Sequence, residues 1–275
     1  MQTLNEIKQL LAHRGLRPRH RLGQNFLHDH NQLRKIVAAA ELEPGDLVLE
    51  VGPGTGTLTE SLVEAGAKVI AAELDPEMAA IVEGRLGDRV EIVVGDCLDR
   101  RRRLSPELLD RIDGRPFRLV ANLPYQAATP LMMDLLTRRS HCLRQVALIQ
   151  KEVADRLAAS SGGRDYGPIS VLTATLGSIQ RVTVVPPGCF WPQPKVTSAV
   201  VSITPDPTHG IEDPEAFGDF VGNLFRTRRK QVGTILGRDR VPVGFDAGSR
   251  PEQLDPESLL ALFRAMHAAE GGAGD

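Results

Sequence analysis

Four residues of one turn have the groups needed for chemistry on a planar nitrogen: Asn122, Leu123, Pro124 and Tyr125. The side-chain oxygen of Asn122 and the carbonyl of Leu123 can accept both N–H groups of an exocyclic amino group, which favours a pyramidal nitrogen with a directed lone pair. Pro124 fixes the turn and has no N–H that would compete. Tyr125 can stack on a base, a contact worth about 1–3 kcal/mol. The alternative is an ordinary strand-ending turn with a packed tyrosine.

A glycine turn and two acidic residues precede that turn along the chain. Gly52, Gly54 and Gly56 follow an apolar run, and glycine lets a ligand approach the backbone because it has no Cβ. Glu73 stands 21 residues after Gly52, a separation at which an acid accepts hydrogen bonds from ribose hydroxyls. Asp96 follows a third apolar run. The G-x-G-x-G spacing argues against NAD, whose fingerprint is G-x-G-x-x-G.

Short apolar runs must bring these residues together. Four runs alternate with helical patterns, at 47–51, 68–72, 90–94 and 117–121. This alternation predicts an α/β fold with a parallel sheet. Ligands of such sheets bind at the carboxyl ends of the strands, where the glycine turn, the acids and Asn122 fall. Further strands are predicted at 145–149, 181–185 and 196–203, the last two as a terminal hairpin.

Bulk properties exclude several classes of protein. A chain of 275 residues can bury one α/β core plus a small appendage. The net charge of -2 means that any nucleic-acid binding depends on local clusters. Three cysteines without C-x-x-C spacing indicate neither disulfides nor zinc, and no metal is predicted. The lack of a long apolar run or signal-peptide core predicts a cytoplasmic protein without membrane contact, and a monomer is our default.

Basic residues cluster in three segments, and each is either a solvated face or a phosphate-binding surface. The segments are 14–21, the four arginines at 100–103, and a helix predicted over 214–236, where Arg226, Arg229 and Lys230 share one side. A second C-terminal helix is predicted over 256–269. Prolines and polar residues around 204–213 predict a boundary. We expect a cofactor-binding domain at 1–205, including an N-terminal extension at 1–45, and a helical domain at 206–275.

A proline-rich connector joins the last two predicted strands. It contains Phe190, Trp191 and Lys195, and this combination of aromatic rings with a cation suits a splayed base and its backbone. Packing of a proline-rich turn around buried aromatics is the alternative interpretation.

Motifs along nearly the whole chain resemble the KsgA/RsmA family of ribosomal RNA adenine dimethyltransferases. Residues 22–27 are similar to its F-G-Q-N-F-L motif, with Leu22 in place of the first aromatic. Asn-Leu-Pro-Tyr at 122–125 is similar to the signature of enzymes that methylate planar nitrogens, in the form typical of RNA adenine-N6 methyltransferases. Family patterns also occur at 50–56, 73–75, 95–97, 129–131, 150–153, 166–170, 190–198 and 225–230. Gln126, Ala127 and Ala128 depart from the family pattern, which leaves open the substrate contacts beside Tyr125.

The resemblance implies a Rossmann-like class I methyltransferase sheet that uses S-adenosylmethionine (SAM), with a small α-helical C-terminal domain. It implies cofactor contacts from Asn25, Leu27, Gly52, Glu73 at the ribose, Asp96 at the adenine amino group, and Asn122. It implies a catalytic group formed by Asn122, Leu123, Pro124 and Tyr125, with Phe190 as the second face of a stacking slot. It implies RNA contacts from Lys195, Arg226, Arg229 and Lys230.

The resemblance also implies a substrate. This is two adjacent adenosines in the 3′-terminal hairpin of small-subunit rRNA, each dimethylated at N6 within an immature small ribosomal subunit. Three alternatives remain: methylation of large-subunit rRNA, a ribosome-assembly binding factor with incidental methylation, and methylation of a protein glutamine. The motif at 190–198 and the basic C-terminal helix favour the small-subunit substrate.

Overall fold

The computed structural model describes residues 1–139 and 141–271. Its strands are β1 (Phe26–Leu27), β2 (Leu47–Val51), β3 (Lys68–Glu73), β4 (Val90–Val94), β5 (Phe117–Asn122), β6 (Cys142–Gln150), β7 (Gly177–Val185), β8 (Phe190–Trp191) and β9 (Ser198–Pro205). Its α-helices are α1 (Leu4–His13), α2 (His30–Ala39), α3 (Thr57–Glu64), α4 (Pro76–Leu86), α5 (Pro106–Ile112), α6 (Tyr125–Arg138), α7 (Lys151–Leu157), α8 (Pro168–Leu176), α9 (Pro214–Arg226), α10 (Val232–Leu236) and α11 (Pro256–Gly271).

The larger sheet has the strand order β4-β3-β2-β5-β6-β9-β7. Strands β4, β3, β2, β5 and β6 run parallel, and β9 runs antiparallel to β6. The chain winds from β2 outwards to β4 and then returns to the other side of β2 as β5, so the strand order reverses between β2 and β5. Open α/β sheets bind ligands at such a reversal. The predicted Rossmann-like α/β fold is confirmed.

The central strand β2 forms because both of its faces are covered. All five of its residues are buried, which is the pattern expected of a parallel strand with helices on each side. Leu49 has no exposed surface and lies in register with Ile70 of β3 and Leu119 of β5. Burial of this strand holds the carboxyl ends of β2 and β5 side by side.

The chain packs as two compact units. The first contains residues 1–135, 139–154 and 180–204, and the second contains 136–138, 155–179 and the chain from Pro205 onward. In the second unit α8 packs against α9 and α11, and the ring of Phe263 contacts Phe217 and Phe220 at centroid distances of 5.3 and 5.5 Å. This division differs from the boundary predicted around 204–213, because residues 155–179 belong to the second unit, in which α8 packs against α9 and α11.

Two helices differ from their predicted extents. Helix α6 begins at Tyr125, directly after the turn, and includes Pro130, whereas the sequence pattern predicted a helix only over 131–139. Helix α9 ends at Arg226, and α10 begins only at Val232.

The predicted basic helix face is therefore wrong. Beyond Arg226 the chain forms a turn in which the Lys230 N–H donates to the Thr227 carbonyl, 2.7 Å away. In a continuous helix Arg226, Arg229 and Lys230 would be neighbours three and four positions apart, where like charges are destabilising. All three residues are exposed, but they lie on a helix end and the following turn.

None of the helices in residues 1–139 and 141–271 combines the length and the hydropathy that a membrane-spanning segment needs.

Truncating the central strand tests this account of the core. We expect Leu49→Ala to lower the free energy of unfolding by about 2–5 kcal/mol, because a buried side chain is removed and a cavity remains. Leu143→Ala is the matched control, since Leu143 of β6 is 46% exposed, and its effect should stay within about 0.5 kcal/mol. Urea unfolding followed by circular dichroism measures both. Equal effects of the two substitutions would contradict the assignment of β2 to the core.

Candidate active site

One cavity of about 300 Å³ lies at the carboxyl ends of β2, β3, β4 and β5. Its volume falls at the lower end of the range for small-molecule sites, roughly 300–1,000 Å³. The cavity is lined by every residue that the sequence analysis assigned to the cofactor or to catalysis, namely Asn25, Leu27, Gly52, Glu73, Asp96, Asn122, Leu123, Pro124, Tyr125 and Phe190. The sheet therefore gathers residues that are up to 165 positions apart in sequence, from Asn25 to Phe190.

The glycine turn packs directly against its neighbours. Gly52 has φ +72°, and a Cβ there would lie 3.4 Å from the ring of Pro124. Gly54 has φ +58°, and a Cβ there would lie 3.0 Å from the ring of Phe26. Both positions favour glycine because the backbone is left-handed, and at Gly54 a Cβ would also be closer to the Phe26 ring than an ordinary contact allows. The turn after β2 is thus in contact with the turn after β5.

Glu73 connects the acidic turn to the glycine turn. One carboxylate oxygen accepts the Asp75 N–H at 2.9 Å, and the other accepts the Gly54 N–H at 3.3 Å. Burial raises the pKa of Glu73 above its ordinary value. The carboxylate is thereby fixed at the cavity wall, where an acid can accept from ribose hydroxyls.

Asp96 follows β4 at the rim of the same cavity. Its Oδ1 accepts the Leu98 N–H at 2.9 Å, which orients the carboxylate. Asp96 is exposed, whereas Glu73 is buried, so the two acids meet a ligand in different surroundings.

Glu50 is a cavity residue that the sequence analysis did not assign. It is 1% exposed, and its Oε2 has no hydrogen-bond partner in the part of the chain that the structure describes. Burial raises the pKa of this carboxyl to about 8, and repulsion from Glu73 adds to the effect. The sequence feature that could have identified Glu50 is an acid inside an otherwise apolar strand, because buried carboxyls are rare unless they have a partner.

The turn after β5 is held from both sides. The Asn122 side-chain N–H donates to the Asn25 carbonyl at 3.1 Å, which fixes the amide and leaves its oxygen for another donor. The Leu123 N–H donates to the Leu148 carbonyl of β6 at 3.1 Å. Tyr125 is 40% exposed, and burial of the remainder raises the pKa of its hydroxyl. A fixed acceptor therefore stands beside an accessible aromatic ring.

Phe190 reaches the cavity through a small second sheet. Strand β8 pairs antiparallel with β1, which places Phe190 opposite Leu27 and Trp191 opposite Phe26. Phe190 is 5% exposed. The ring of Trp191 stacks on Phe26 at a centroid distance of 6.3 Å, and the ammonium of Lys8 lies 5.5 Å from the Trp191 ring centre. For Trp191 the packing interpretation holds, whereas Phe190 lines the site.

The N-terminal segment is fastened to the acidic turn by Asp75. Its Oδ1 accepts the Arg19 guanidinium and its Oδ2 accepts the Gln24 amide, both at 2.9 Å. The Arg19 backbone N–H donates to the Gln24 side chain at 2.8 Å. Asp75 is 2% exposed, so this ion pair lies partly away from water. Nothing in the sequence pattern indicated this connection.

The predicted RNA-contact residues lie outside the cavity. Lys195 is exposed in the first unit, and Arg226, Arg229 and Lys230 are exposed in the second. Their role in RNA binding stays a prediction. Among residues 1–139 and 141–271, no group of three or more His, Cys, Asp or Glu side chains is arranged to hold a metal ion.

Comparison with known sequences decides the family. A profile described as "Ribosomal RNA adenine dimethylase" matches residues 15–263. The chain belongs to this family. Similar proteins named "Ribosomal RNA small subunit methyltransferase A" include one from Moorella thermoacetica, 40% identical over 274 residues, which cover 94% of this chain and 95% of the relative. Another, from Geobacter metallireducens, is 39% identical over 273 residues, which cover 94% and 98%.

Solved structures of methyltransferases resemble this dimethylase in fold. A dimethyladenosine transferase from Plasmodium falciparum superposes with a TM-score of 0.74 at 25% identity, covering 89% of this chain and 98% of that one. The 23S rRNA methyltransferase ErmE superposes with a TM-score of 0.65 at 27% identity, covering 88% and 100%. The chain is thus a SAM-dependent rRNA methyltransferase.

The residues of the cavity fit SAM. The glycine turn lets a ligand approach the backbone at the cavity wall, and the Glu73 carboxylate is held beside that turn, where an acid can accept hydrogen bonds from ribose hydroxyls. The buried Glu50 oxygen without a partner suits a cationic donor such as the ammonium of the methionine part. When bound, SAM supplies an electrophilic methyl group on a positively charged sulfonium.

Burial of Glu50 makes stability depend on pH. The pKa of Glu50 is raised from an ordinary 4.5 to about 8 in the folded protein. The contribution of Glu50 to the free energy of unfolding is therefore fully present below pH 4.5 and is lost as the pH rises towards 8. Titration of this one group changes the free energy of unfolding by at most about 1.4 kcal/mol per pH unit. In chemical denaturation of the cofactor-free protein, we expect Glu50→Gln to remove that slope between pH 5 and 8. An unchanged slope would show that Glu50 is ionised in the folded protein.

Release of the N-terminal segment should weaken cofactor binding. Arg19→Ala removes the ion pair with Asp75, and we expect about a threefold to tenfold higher Kd for SAM, since a half-exposed pair contributes about 1 kcal/mol. Calorimetric titration with SAM measures this change. Arg17→Ala is the control, because Arg17 is an exposed arginine of the same segment, whereas the partners of the Asp75 carboxylate oxygens include Arg19 and Gln24. Equal Kd values for the two variants would contradict a role for the Asp75 connection.

Proposed function

We propose that this enzyme transfers two methyl groups from SAM to N6 of each of two adjacent adenosines in the 3′-terminal hairpin of small-subunit rRNA. The observation that carries the proposal is the shared cavity of the catalytic turn and the cofactor turn, which touch at Pro124 and Gly52. Relatives that are 36–40% identical over most of this chain are named small-subunit methyltransferases, which supports this choice of rRNA.

The proposed chemistry depends on holding the target amino group. The lone pair of an adenine amino group is delocalised into the ring, so a base alone would help little. Acceptance of its two N–H groups by the Asn122 side-chain oxygen and the Leu123 carbonyl favours a pyramidal nitrogen. The Asn122 oxygen is available because its amide nitrogen is already bonded to Asn25. Positioning and electrostatics then account for most of the rate enhancement.

Base extrusion brings the adenine to this turn. Enzymes that modify a base remove it from its stack and hold it between aromatic or apolar side chains. We assign these two faces to Tyr125, which is exposed at the cavity rim, and Phe190, which lines the same cavity from β8. After the first transfer only one N–H remains, so one acceptor holds the nitrogen during the second transfer.

We further propose that the enzyme acts as a monomer on an immature small ribosomal subunit. The RNA contacts are assigned to Lys195 in the first unit and to Arg226, Arg229 and Lys230 in the second. The similarity to ErmE keeps a large-subunit substrate as the second candidate. It is less favoured because this chain is closer in sequence to the small-subunit enzymes.

The decisive experiment supplies labelled SAM with four substrates: immature small subunits lacking the modification, fully modified small subunits, naked rRNA, and large subunits. Nucleoside mass spectrometry identifies the product. We expect N6,N6-dimethyladenosine only in the unmodified small subunits. Dimethyladenosine in large subunits would select the second candidate, and binding to immature subunits without any methylated adenosine would favour an assembly factor.

Loss of the Tyr125 ring should slow methyl transfer without affecting the cofactor. We expect Tyr125→Ala to lower kcat/KM for unmodified small subunits by about tenfold to a hundredfold, because base stacking contributes about 1–3 kcal/mol. Tyr125→Phe retains the ring and should keep most of the activity. The Kd for SAM should be unchanged in both variants. A fully active Tyr125→Ala enzyme would show that this ring does not hold the base.

A further inference from the structure

The turn between β4 and α5 holds one arginine in a left-handed conformation. Arg102 has φ +61°, an uncommon conformation for a long side chain and one that deserves a physical reason. Asp99 imposes it. Its carboxylate accepts the N–H groups of Arg101 and Arg103 at 2.8 and 2.9 Å, and its own N–H donates to the Arg103 carbonyl at 2.8 Å. Arg102 therefore projects from a closed, well-bonded turn.

This turn is also fixed to the first unit at its base. Leu98 and Leu104 form an isolated antiparallel bridge and are both buried. The Leu104 N–H donates to the buried carboxylate of Asp134 in α6 at 3.1 Å. The loop of four arginines is thus not a loosely solvated charge run, because its backbone is bonded at both ends.

The partner of Arg102 is a carbonyl that a proline leaves without its helix donor. In α6 the carbonyl of Gln126 would normally accept from the N–H four residues later, but that residue is Pro130, which has no N–H. The Arg102 guanidinium donates to this Gln126 carbonyl. Gln126 directly follows Tyr125, so the arginine is fixed to the first turn of the helix that carries the stacking ring.

Most of the Arg102 guanidinium remains available. It has five N–H donors, and its hydrogen bond to Gln126 uses only part of this capacity. Arg102 lines the cavity and is exposed, and it forms no ion pair within the described ranges of the chain. A planar guanidinium with free donors in this position matches a phosphate, which it can bind in a bidentate way.

We propose that Arg102 binds a backbone phosphate of the RNA strand next to the target adenosine. This inference rests on the proposed function, because a base stacked on Tyr125 brings its own flanking phosphates to the cavity rim. Tyr125, Gln126 and Arg102 are all exposed at that rim. By contrast, Glu50 and Glu73, which face the cofactor, are buried. The carboxylate of SAM is a second anion that a guanidinium in this position can bind, and the experiment distinguishes it from an RNA phosphate.

The test compares Arg102→Gln with Arg101→Gln. Both remove one positive charge from the same loop, but Arg101 does not line the cavity. Steady-state methyl transfer to unmodified small subunits is measured over a range of salt concentrations, and the Kd for SAM is measured separately. We expect Arg102→Gln to raise KM for the subunits about tenfold and to reduce the slope of log KM against log salt by about 0.7–0.9, the value for one phosphate. Arg101→Gln should stay within twofold of wild type.

A second pair of variants separates phosphate binding from support of the helix. Pro130→Ala restores an N–H for the Gln126 carbonyl, so it should rescue Arg102→Gln if the arginine only satisfies that carbonyl. We expect no rescue of KM in the double variant. Rescue, an unchanged KM in Arg102→Gln, or equal effects of Arg101→Gln and Arg102→Gln would each overturn the proposal.

The Kd for SAM distinguishes a cofactor contact of Arg102 from an RNA contact. A weaker Kd for SAM with an unchanged KM for subunits would place the Arg102 contact on the cofactor and overturn the proposal. Failure of the proposed function looks different, because the wild-type enzyme itself would then form no dimethyladenosine on small subunits. A thermal unfolding midpoint close to wild type in each variant confirms that the comparison concerns folded protein.

Discussion

The contact between Gly52 and Pro124 is the constraint on which the site depends. Strands β2 and β5 are parallel neighbours in register, with Leu49 opposite Leu119, so their following turns emerge at the same edge of the sheet. The left-handed backbone at Gly52, with φ +72°, favours glycine, and the turn that this residue forms packs on the proline ring, which lies 3.4 Å from where a Cβ would be. Group transfer needs reacting atoms about 3–3.5 Å apart. The packing of one glycine on one proline therefore links where the cofactor is held to where the amino group is held.

The other walls of the cavity are fastened to these two turns. Asn122 bonds to the Asn25 carbonyl, and Glu73 bonds to the Gly54 N–H. Asp75 fastens the segment before Asn25 through Arg19 and Gln24. Burying the Glu50 and Glu73 carboxyls is costly for folding, as their raised pKa values indicate. Acids retained at this cost suit a site that receives a cationic cofactor with ribose hydroxyls.

Features that repeat along the chain, or that follow the end of a strand, could be predicted from the sequence. Burial on both faces makes β2 an uninterrupted apolar run apart from Glu50, and parallel strands put their carboxyl ends together. The sheet, and the grouping of the candidate site residues around one cavity, could therefore be predicted. Contacts between distant segments had no such signal. The pairing of β1 with β8 involves two residues from each segment, and the Asp75 connection joins residues 56 positions apart.

Helix α6 was predicted too short because the missing donor at Pro130 is compensated by Arg102, a residue from another loop. The basic face over 226–230 failed because three like charges in one helical turn disfavour the helix itself.

The most direct test of the central claim is the single-turnover rate of methyl transfer by Gly52→Ala at saturating SAM and saturating unmodified small subunits. Saturation removes any loss of affinity from the comparison, and the thermal unfolding midpoint monitors folding. An alanine at this position is strained because φ is +72°. Relief of that strain is expected to shift the two turns relative to each other, and a displacement of about 1 Å can cost about a hundredfold in rate. We predict a chemical step slowed by at least about tenfold. A wild-type rate in the folded variant would contradict the claim that this contact positions the two turns for transfer.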